Sequence, residues 1–346
     1  MRAVLRGAWV LCAVLAAGPA VADPTARVVA VGDIALVDAV LRRAREGVDP
    51  FAAVRPLLAA ADLAMGNLEC VLSSRPAPAA RVGAPPRVTL AAPCAGASLL
   101  TAAGFDLLSL ANNHAFDLGP AGALDSLRCV RGAGLAAVGL GGSRAEAEAP
   151  VRVTLGGLRV GVVAFAYDTN RPAGAGARVA LLDDDPVAAV RALRPTVDAV
   201  LVSLHWGVEF VHTPTAAQVR LAHALVDAGA DAVIGHHPHV LQGVEVYRGR
   251  PVVYSLGNFV FGPQRWPRDA SAVLGLTLTR ARAGEGAVRA VTLTPVRAVG
   301  RRGVLTLATG LSGDAVRALV RRSSARFATR MRTTAGALAV ELEARR

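Results

Sequence analysis

Five short segments of the chain set imidazoles, carboxylates and carboxamides directly after apolar runs: Gly32-Asp33, Gly66-Asn67-Leu68-Glu69, Asn112-Asn113-His114 with Asp117, His205-Trp206-Gly207, and Gly235-His236-His237-Pro238-His239. Imidazole nitrogen combined with carboxylate and amide oxygen is the donor set that borderline divalent metals take. The expected cofactor is therefore one or more divalent ions, with Mn, Zn and Fe all compatible. In an extended segment residues two apart face one side, so His237 and His239 address one centre while His236 points away, to a second layer or the surface. Pro238 fixes the backbone between them. In Asn113-His114 neighbouring side chains diverge, so the amide oxygen can bind metal while the imidazole faces substrate as an acid or an orienting donor. The plain alternatives are that Asn112 and Asn113 build a turn, that Asp33 caps a turn, and that the isolated His212 and His223 belong to a helix surface or the core.

Other catalytic devices are missing from the sequence: there is no GxSxG elbow, no GxxxxGK[ST] loop and no strand-linked GxGxxG. The formal charge of +12 comes with 38 basic residues, all of them Arg, in an Ala-, Gly- and Val-rich background. That charge reads either as attraction to an anionic polymer or membrane or as coding bias spread over an ordinary surface. With 4% aromatic residues there is no stacking surface for single strands, so nucleic acid is not expected as a partner.

Elements that must position these residues follow from the alternation of β-branched runs with Ala- and Leu-rich stretches, which marks an α/β domain. Strands are expected over 27–31, 63–65, 107–110, 160–165, 199–204, 232–234 and 252–255, and helices over 50–61, 120–132, 186–193 and 214–228. Polar clusters at strand carboxyl ends are where such folds build ligand sites. The Pro-, Ala- and Gly-rich segments 75–93 and 170–178 read as loops beside that end, and 273–279 with 287–295 as a closing β pair. The main domain is expected over 23–312, with 313–346 a peripheral, helical, basic tail.

The segments VGDIAL, GNLEC, LANNHAFDLGPAGALDSL, SLHWGVEF and DAGADAVIGHHPHVLQGVEVYRGRPVVYSLGNFVF resemble the CapA family of capsule and poly-γ-glutamate biosynthesis proteins, whose fold is similar to calcineurin-like metallophosphoesterases. The resemblance implies a metallophosphatase-like α/β sandwich of two mixed β-sheets flanked by helices. It implies metal ligands at Asp33, Glu69, Asn113, His205, His237 and His239, and a catalytic histidine at His114. Asn67, Asn112, Asp117, His236 and Asn258 become substrate-facing or supporting positions. The implied partner is an anionic envelope polymer or its precursor, within a membrane biosynthetic complex. The implied role is in making or exporting that polymer, as a metal-dependent hydrolase or as a non-catalytic accessory factor. A phosphoesterase unrelated to capsule is a further alternative. Two departures stand out: Asp33-Ile34-Ala35 lacks the histidine of Asp-x-His, and Asn67 replaces the carboxylate expected after Gly66.

Arg2 and Arg6 precede an apolar run over 8–17, and Ala20-Val21-Ala22 follows as a small-residue cleavage pattern. The run is shorter than the ~20 residues of a span and is followed by Gly18-Pro19, which favours a cleaved signal peptide over a membrane anchor. Cys12 lies in that segment, leaving Cys70, Cys94 and Cys129 to form one disulfide and one thiol, or three buried thiols. An exported product should begin at Asp23. Terminal sequencing of the envelope fraction checks this, and an intact Met1 on membrane-bound protein would establish the anchor instead.

Overall fold

The computed structural model describes residues 23–36, 38–75, 88–170, 176–262, 264–280, 286–298 and 303–342. The expected signal segment and most of the expected loop over 75–93 lie outside these residues. Two mixed sheets dominate. The larger runs Met331–Thr334, Ala337–Val340, Val288–Arg297, Ala270–Thr279, Thr25–Ile34, Leu63–Leu68, Leu107–Ser109 and Ala136–Val138, with Asn258–Val260 added at the end of Thr25–Ile34. The smaller runs Val244–Tyr247, Arg250–Val253, Ala232–His236, Ala199–His205, Leu158–Ala166 and Val151–Leu155. In the smaller sheet a parallel centre is flanked by one antiparallel strand on each side, whereas in the larger the strands from Thr25–Ile34 to the edge strand Ala136–Val138 are parallel and the rest of that row is antiparallel.

Alternation along the strands explains the layering. In the smaller sheet Val160, Val162, Ala164, Leu201 and Ile234 join the large apolar core shared with the other sheet. Their neighbours Val163, Phe165, Val200, Val202 and Val233 face a second cluster, closed by Val190 and Leu193 of helix Pro186–Leu193 and by Ala222 and Leu225 of helix Ala216–Asp227. Strands buried on both faces leave only their ends for polar groups. The chain exploits this in register: Asp33 pairs with both Asn67 and Asn258, and His205 pairs with His236.

The structure corrects two expectations. The helix expected over 50–61 is reduced to Arg55–Ala59, because Pro56 occupies its first turn and the preceding Phe51–Val54 forms tight turns instead. The described part of the expected tail, residues 313–342, is neither wholly helical nor peripheral. Helix Gly310–Ser324 buries Val316, Leu319 and Val320 in the main core, and the chain then turns through Ala328 in a left-handed conformation. The hairpin Met331–Thr334 and Ala337–Val340 extends the larger sheet, with Leu338 paired to Leu293. Ala337-Leu338-Ala339-Val340 carries the period of a strand, which the helical pattern upstream obscures. Among the described residues, no helix is long and apolar enough to cross a membrane.

Cys94, just before helix Gly96–Ala103, is bonded to Cys129 in helix Gly119–Gly132, which follows directly on the Asn112–Asp117 loop. Cys70 stays a buried thiol, pushed up to about 12 by burial. Cys129→Ser should cost about 2–4 kcal/mol of unfolding free energy in urea. Reduced wild type should fall on the same curve, and an unchanged midpoint in both would show that the bridge does not hold this helix.

Candidate metal centre

Two close approaches bring the strand ends together. A Cβ on Gly32 would lie 1.9 Å from the Gly257 carbonyl oxygen, and one on Gly235 would lie 1.9 Å from that of Tyr254. Each glycine precedes a site residue, Asp33 or His236, and lets the neighbouring segment press against it. Asp33 N–H then donates to the Gly257 carbonyl at 2.9 Å.

Every Asp, Glu, Asn and His of the five segments, and Asn258, is buried here, while His212 and His223 are only half-buried. Asp33 accepts from Asn67 Nδ2 at 2.8 Å and from the His237 backbone N–H at 3.2 Å. His205 Nε2 lies 2.9 Å from Asn113 Oδ1 and 3.1 Å from His237 Nδ1, and its Nδ1 lies 3.2 Å from Asn67 Nδ2. His239 Nδ1 lies 2.9 Å from Asn258 Oδ1 and 3.5 Å from Asp33 Oδ2, with Nε2 3.6 Å from Glu69 Oε1. Asn112 is a brace: its amide donates to the Leu68 carbonyl at 2.8 Å and its oxygen accepts from the His114 N–H at 3.1 Å. Ala35, at the place of the missing histidine, packs in the apolar core.

The extended-segment argument for His237 and His239 does not describe the chain. Both residues have left-handed backbones, with φ 92° and 56°, so simple alternation fails. Their rings nevertheless end with centroids 5.9 Å apart. His236 does not point away to the surface: it is buried, with Nδ1 3.4 Å from Asp33 Oδ1.

Protonation follows from these contacts. Burial raises the Asp33 carboxyl, but hydrogen bonds and the charges of His236 and His239 outweigh it and hold the group well below the usual range. Burial drives Glu69 well above it, helped by Asp33, Glu209 and Asp117 and opposed by His239. Burial and neighbouring imidazoles hold His205 well below normal, and His237 falls to about 4 for the same reasons. His239, although buried, rises to about 10 because Glu69 and Asp33 favour its cation.

Both Glu69 oxygens and His236 Nδ1 are buried without a hydrogen-bond partner among the described residues. A carboxylate in that state costs several kcal/mol unless a cation meets it, so the donor set fits a divalent ion. Among the described residues, three overlapping groups offer donor atoms within 4.8 Å of one another: Asp33, Glu69 and His239; Glu69, His205 and His237; and Glu209, His237 and His239.

Beside this cluster opens a cavity of about 590 Å³ lined by His114, Asp117, Asn113, Tyr167, Asn170, Glu209, Phe210 and His239, among others. His114 Nδ1 lies 2.7 Å from Asp117 Oδ2, an oxygen that also accepts the Leu90 N–H at 2.6 Å. Nε2 is left towards the cavity, 3.4 Å from Asn170 Nδ2. The sequence reading missed Tyr167, Asn170, Glu209, Phe210 and Phe261. The available signal was Gly207, whose φ of 92° turns the chain after His205 so that Glu209 returns to the site.

The family model described as bacterial capsule synthesis protein PGA_cap matches residues 27–263. The chain is 37% identical over 186 residues to the capsule biosynthesis protein CapA of Bacillus anthracis, covering 50% of this chain and 44% of that protein. It is 32% identical over 255 residues to a probable polyglutamine synthesis accessory protein of Mycobacterium tuberculosis, covering 68% and 66%. The matched part thus spans less than half of the Bacillus anthracis relative. Among solved structures, a hypothetical protein from Thermus thermophilus superimposes with a TM-score of 0.50 at 18% identity, covering 78% of this chain and 98% of that one. That likeness concerns the fold alone.

Glu69→Gln should separate the metal-free from the metal-loaded protein. After chelation the variant should melt no lower than wild type, because the unpaired buried carboxyl is gone. With Mn²⁺ or Zn²⁺ restored it should melt lower, by the linkage of lost binding, about 1.4 kcal/mol per tenfold in affinity. Equal metal-induced shifts in both proteins would remove Glu69 from the centre.

Proposed function

The chain belongs to the bacterial capsule synthesis protein family PGA_cap, and on that premise we propose that it is an exported, metal-dependent hydrolase acting in the synthesis or export of an anionic envelope polymer of the poly-γ-glutamate type. The observation that carries the catalytic reading is the His114–Asp117 pair, held at 2.7 Å on the wall of a cavity that adjoins the buried donor cluster. When bound, a divalent cation supplies Lewis-acid polarisation and charge stabilisation. Asp33, Glu69, His205, His237 and His239 are the residues that would hold it, with Asn113 contributing an amide oxygen beside His205.

The protein's own part is orientation and proton transfer. Asp117 accepts at His114 Nδ1 and fixes the ring, which turns Nε2 to the cavity, the position from which a proton could pass to the leaving group of a phosphate ester or acyl bond. Asn170 bonds the Asn113 carbonyl through its N–H at 2.8 Å, which fixes one wall of that opening. Tyr167, whose ring centroid is 4.7 Å from that of His237, closes another.

A second reading, a non-catalytic accessory factor for the same polymer, is favoured by a different feature. Arg248, Arg250, Arg289 and Arg332 line a groove of about 800 Å³ at the opposite ends of the strands. Four guanidiniums along one groove match a chain of carboxylates. The mycobacterial relative's description as an accessory protein accords with that reading.

Metal-loaded protein should be assayed against phosphoesters and γ-glutamyl peptides. His114→Ala should retain metal near the wild-type level and lose about 10²- to 10⁴-fold in rate, less where the leaving group needs no protonation. His237→Ala should lose metal and activity together. If His114→Ala supports full polymer production in cells and no substrate turns over, the accessory reading replaces the catalytic one. If His114→Ala strips the metal, His114 is a ligand instead.

A further inference from the structure

Glu209 stands apart from the inner donor set. The groups built on Glu69 take their carboxylates from the buried strand ends of the larger sheet, whereas the group with His237 and His239 takes its carboxylate from an exposed loop. Its donor atoms nevertheless lie within 4.8 Å of one another, the same limit that the inner groups meet. Among the described residues its carboxylate makes no hydrogen bond or salt bridge, so nothing else there accounts for its direction.

The backbone holds it in place. Gly207 and Phe210 both have left-handed backbones, with φ 92° and 63°, and the Phe210 N–H donates to the Pro238 carbonyl at 2.8 Å. That bond joins the Glu209 loop to the middle of His237-Pro238-His239. The Phe210 ring centroid lies 5.9 Å from that of His239, and the Arg268 guanidinium lies over the Phe210 ring, 3.9 Å from its centroid. Two left-handed residues and a direct hydrogen bond thus hold the backbone of Glu209 beside His237 and His239, within reach of which its exposed carboxylate lies.

We propose that Glu209 is a cation ligand, closing with His237 and His239 a subsite at the cavity mouth. Carboxylate oxygen with two imidazole nitrogens suits a borderline divalent ion such as Zn²⁺, Mn²⁺ or Co²⁺. The inference concerns where a cation is held, and it stands whether the protein is a hydrolase or an accessory factor.

The test is a Co²⁺ titration of the chelator-stripped full chain, followed by visible absorption and by metal content after dialysis. Asp168→Asn serves as a control, because Asp168 also lines the cavity but belongs to none of the three donor groups. Glu209→Gln should weaken Co²⁺ binding by at least about tenfold, the scale on which losing even an outer partner of a ligand acts, and should alter the absorption bands. Asp168→Asn should stay within about twofold of wild type. Glu209→His, which returns a donor, should restore binding while shifting the bands. Circular dichroism should be unchanged throughout, since residue 209 is exposed. A Glu209→Gln protein with wild-type affinity and spectrum overturns the proposal and leaves the inner centre untouched. Equal weakening by Asp168→Asn overturns it in favour of a general field effect, and a wild type that takes up no Co²⁺ overturns it together with the inner centre.

Discussion

The architecture turns on a carboxylate that the protein does not satisfy by itself. Glu69 is fully buried where the two sheets meet, and among the described residues neither of its oxygens has a hydrogen-bond donor. Asp33 is equally buried yet responds in the opposite sense, its carboxyl held low where that of Glu69 is driven high. The difference is local wiring. Asp33 receives the Asn67 amide, the His237 N–H and two nearby imidazoles, while Glu69 meets imidazole nitrogens only at 3.6 and 3.7 Å. Burying an ion without such partners costs several kcal/mol. A core with apolar side chains on both faces of the central strands is what tolerates that cost, and a divalent cation is what offsets it.

Everything that positions the cluster follows from bringing the ends of two sheets to one place. Asp33, Asn67 and Asn258 are register partners in one sheet, His205 and His236 in the other. Glycine at 32 and 235 removes the side chain where backbone must touch backbone. The carboxamides then act as rigid spacers: Asn67 reaches both Asp33 and His205, and Asn112 ties the His114 loop to the strand that carries Glu69. This gives the Asn at position 67 a positive role. An amide that donates to Asp33 lowers the charge of the cluster by one carboxylate relative to the aspartate that the resemblance leads one to expect there.

Much of this was legible in the sequence because it is written at short range. Apolar runs ending in Asp, Asn or His mark strand termini, and the central strands appear where β-branched residues cluster. The closing pair over 273–279 and 287–295 is visible for the same reason, within the strands Ala270–Thr279 and Val288–Arg297. What escaped depends on backbone handedness and on contacts distant in sequence. Nothing in His237-Pro238-His239 announces two left-handed residues, so an extended reading could not place these rings, and of its two alternatives for His236 the surface one fails. Pro56 was overlooked as the true start of its helix, and a two-residue period in 337–340 was hidden behind the preceding helical pattern. Of the thiols, spacing alone left the pairing open, and the approach of two helices decided it.

The distribution of charge gives the cation a further consequence. The chain as a whole carries +12, yet the cavity gathers Asp117, Asp168 and Glu209 at its wall and mouth, with Asp33 and Glu69 behind them. Fields at this range are set by the nearest charges more than by the net charge, because solvent and salt screen the rest within about 8–10 Å. Without a cation, the opening favours cations and repels anions. A divalent ion is the largest single charge available to such a site and reverses that preference locally. A metal ion held there would therefore favour an anionic group in the cavity, and the reverse, whereas the field of the Arg-lined groove at the far ends of the strands does not depend on that ion.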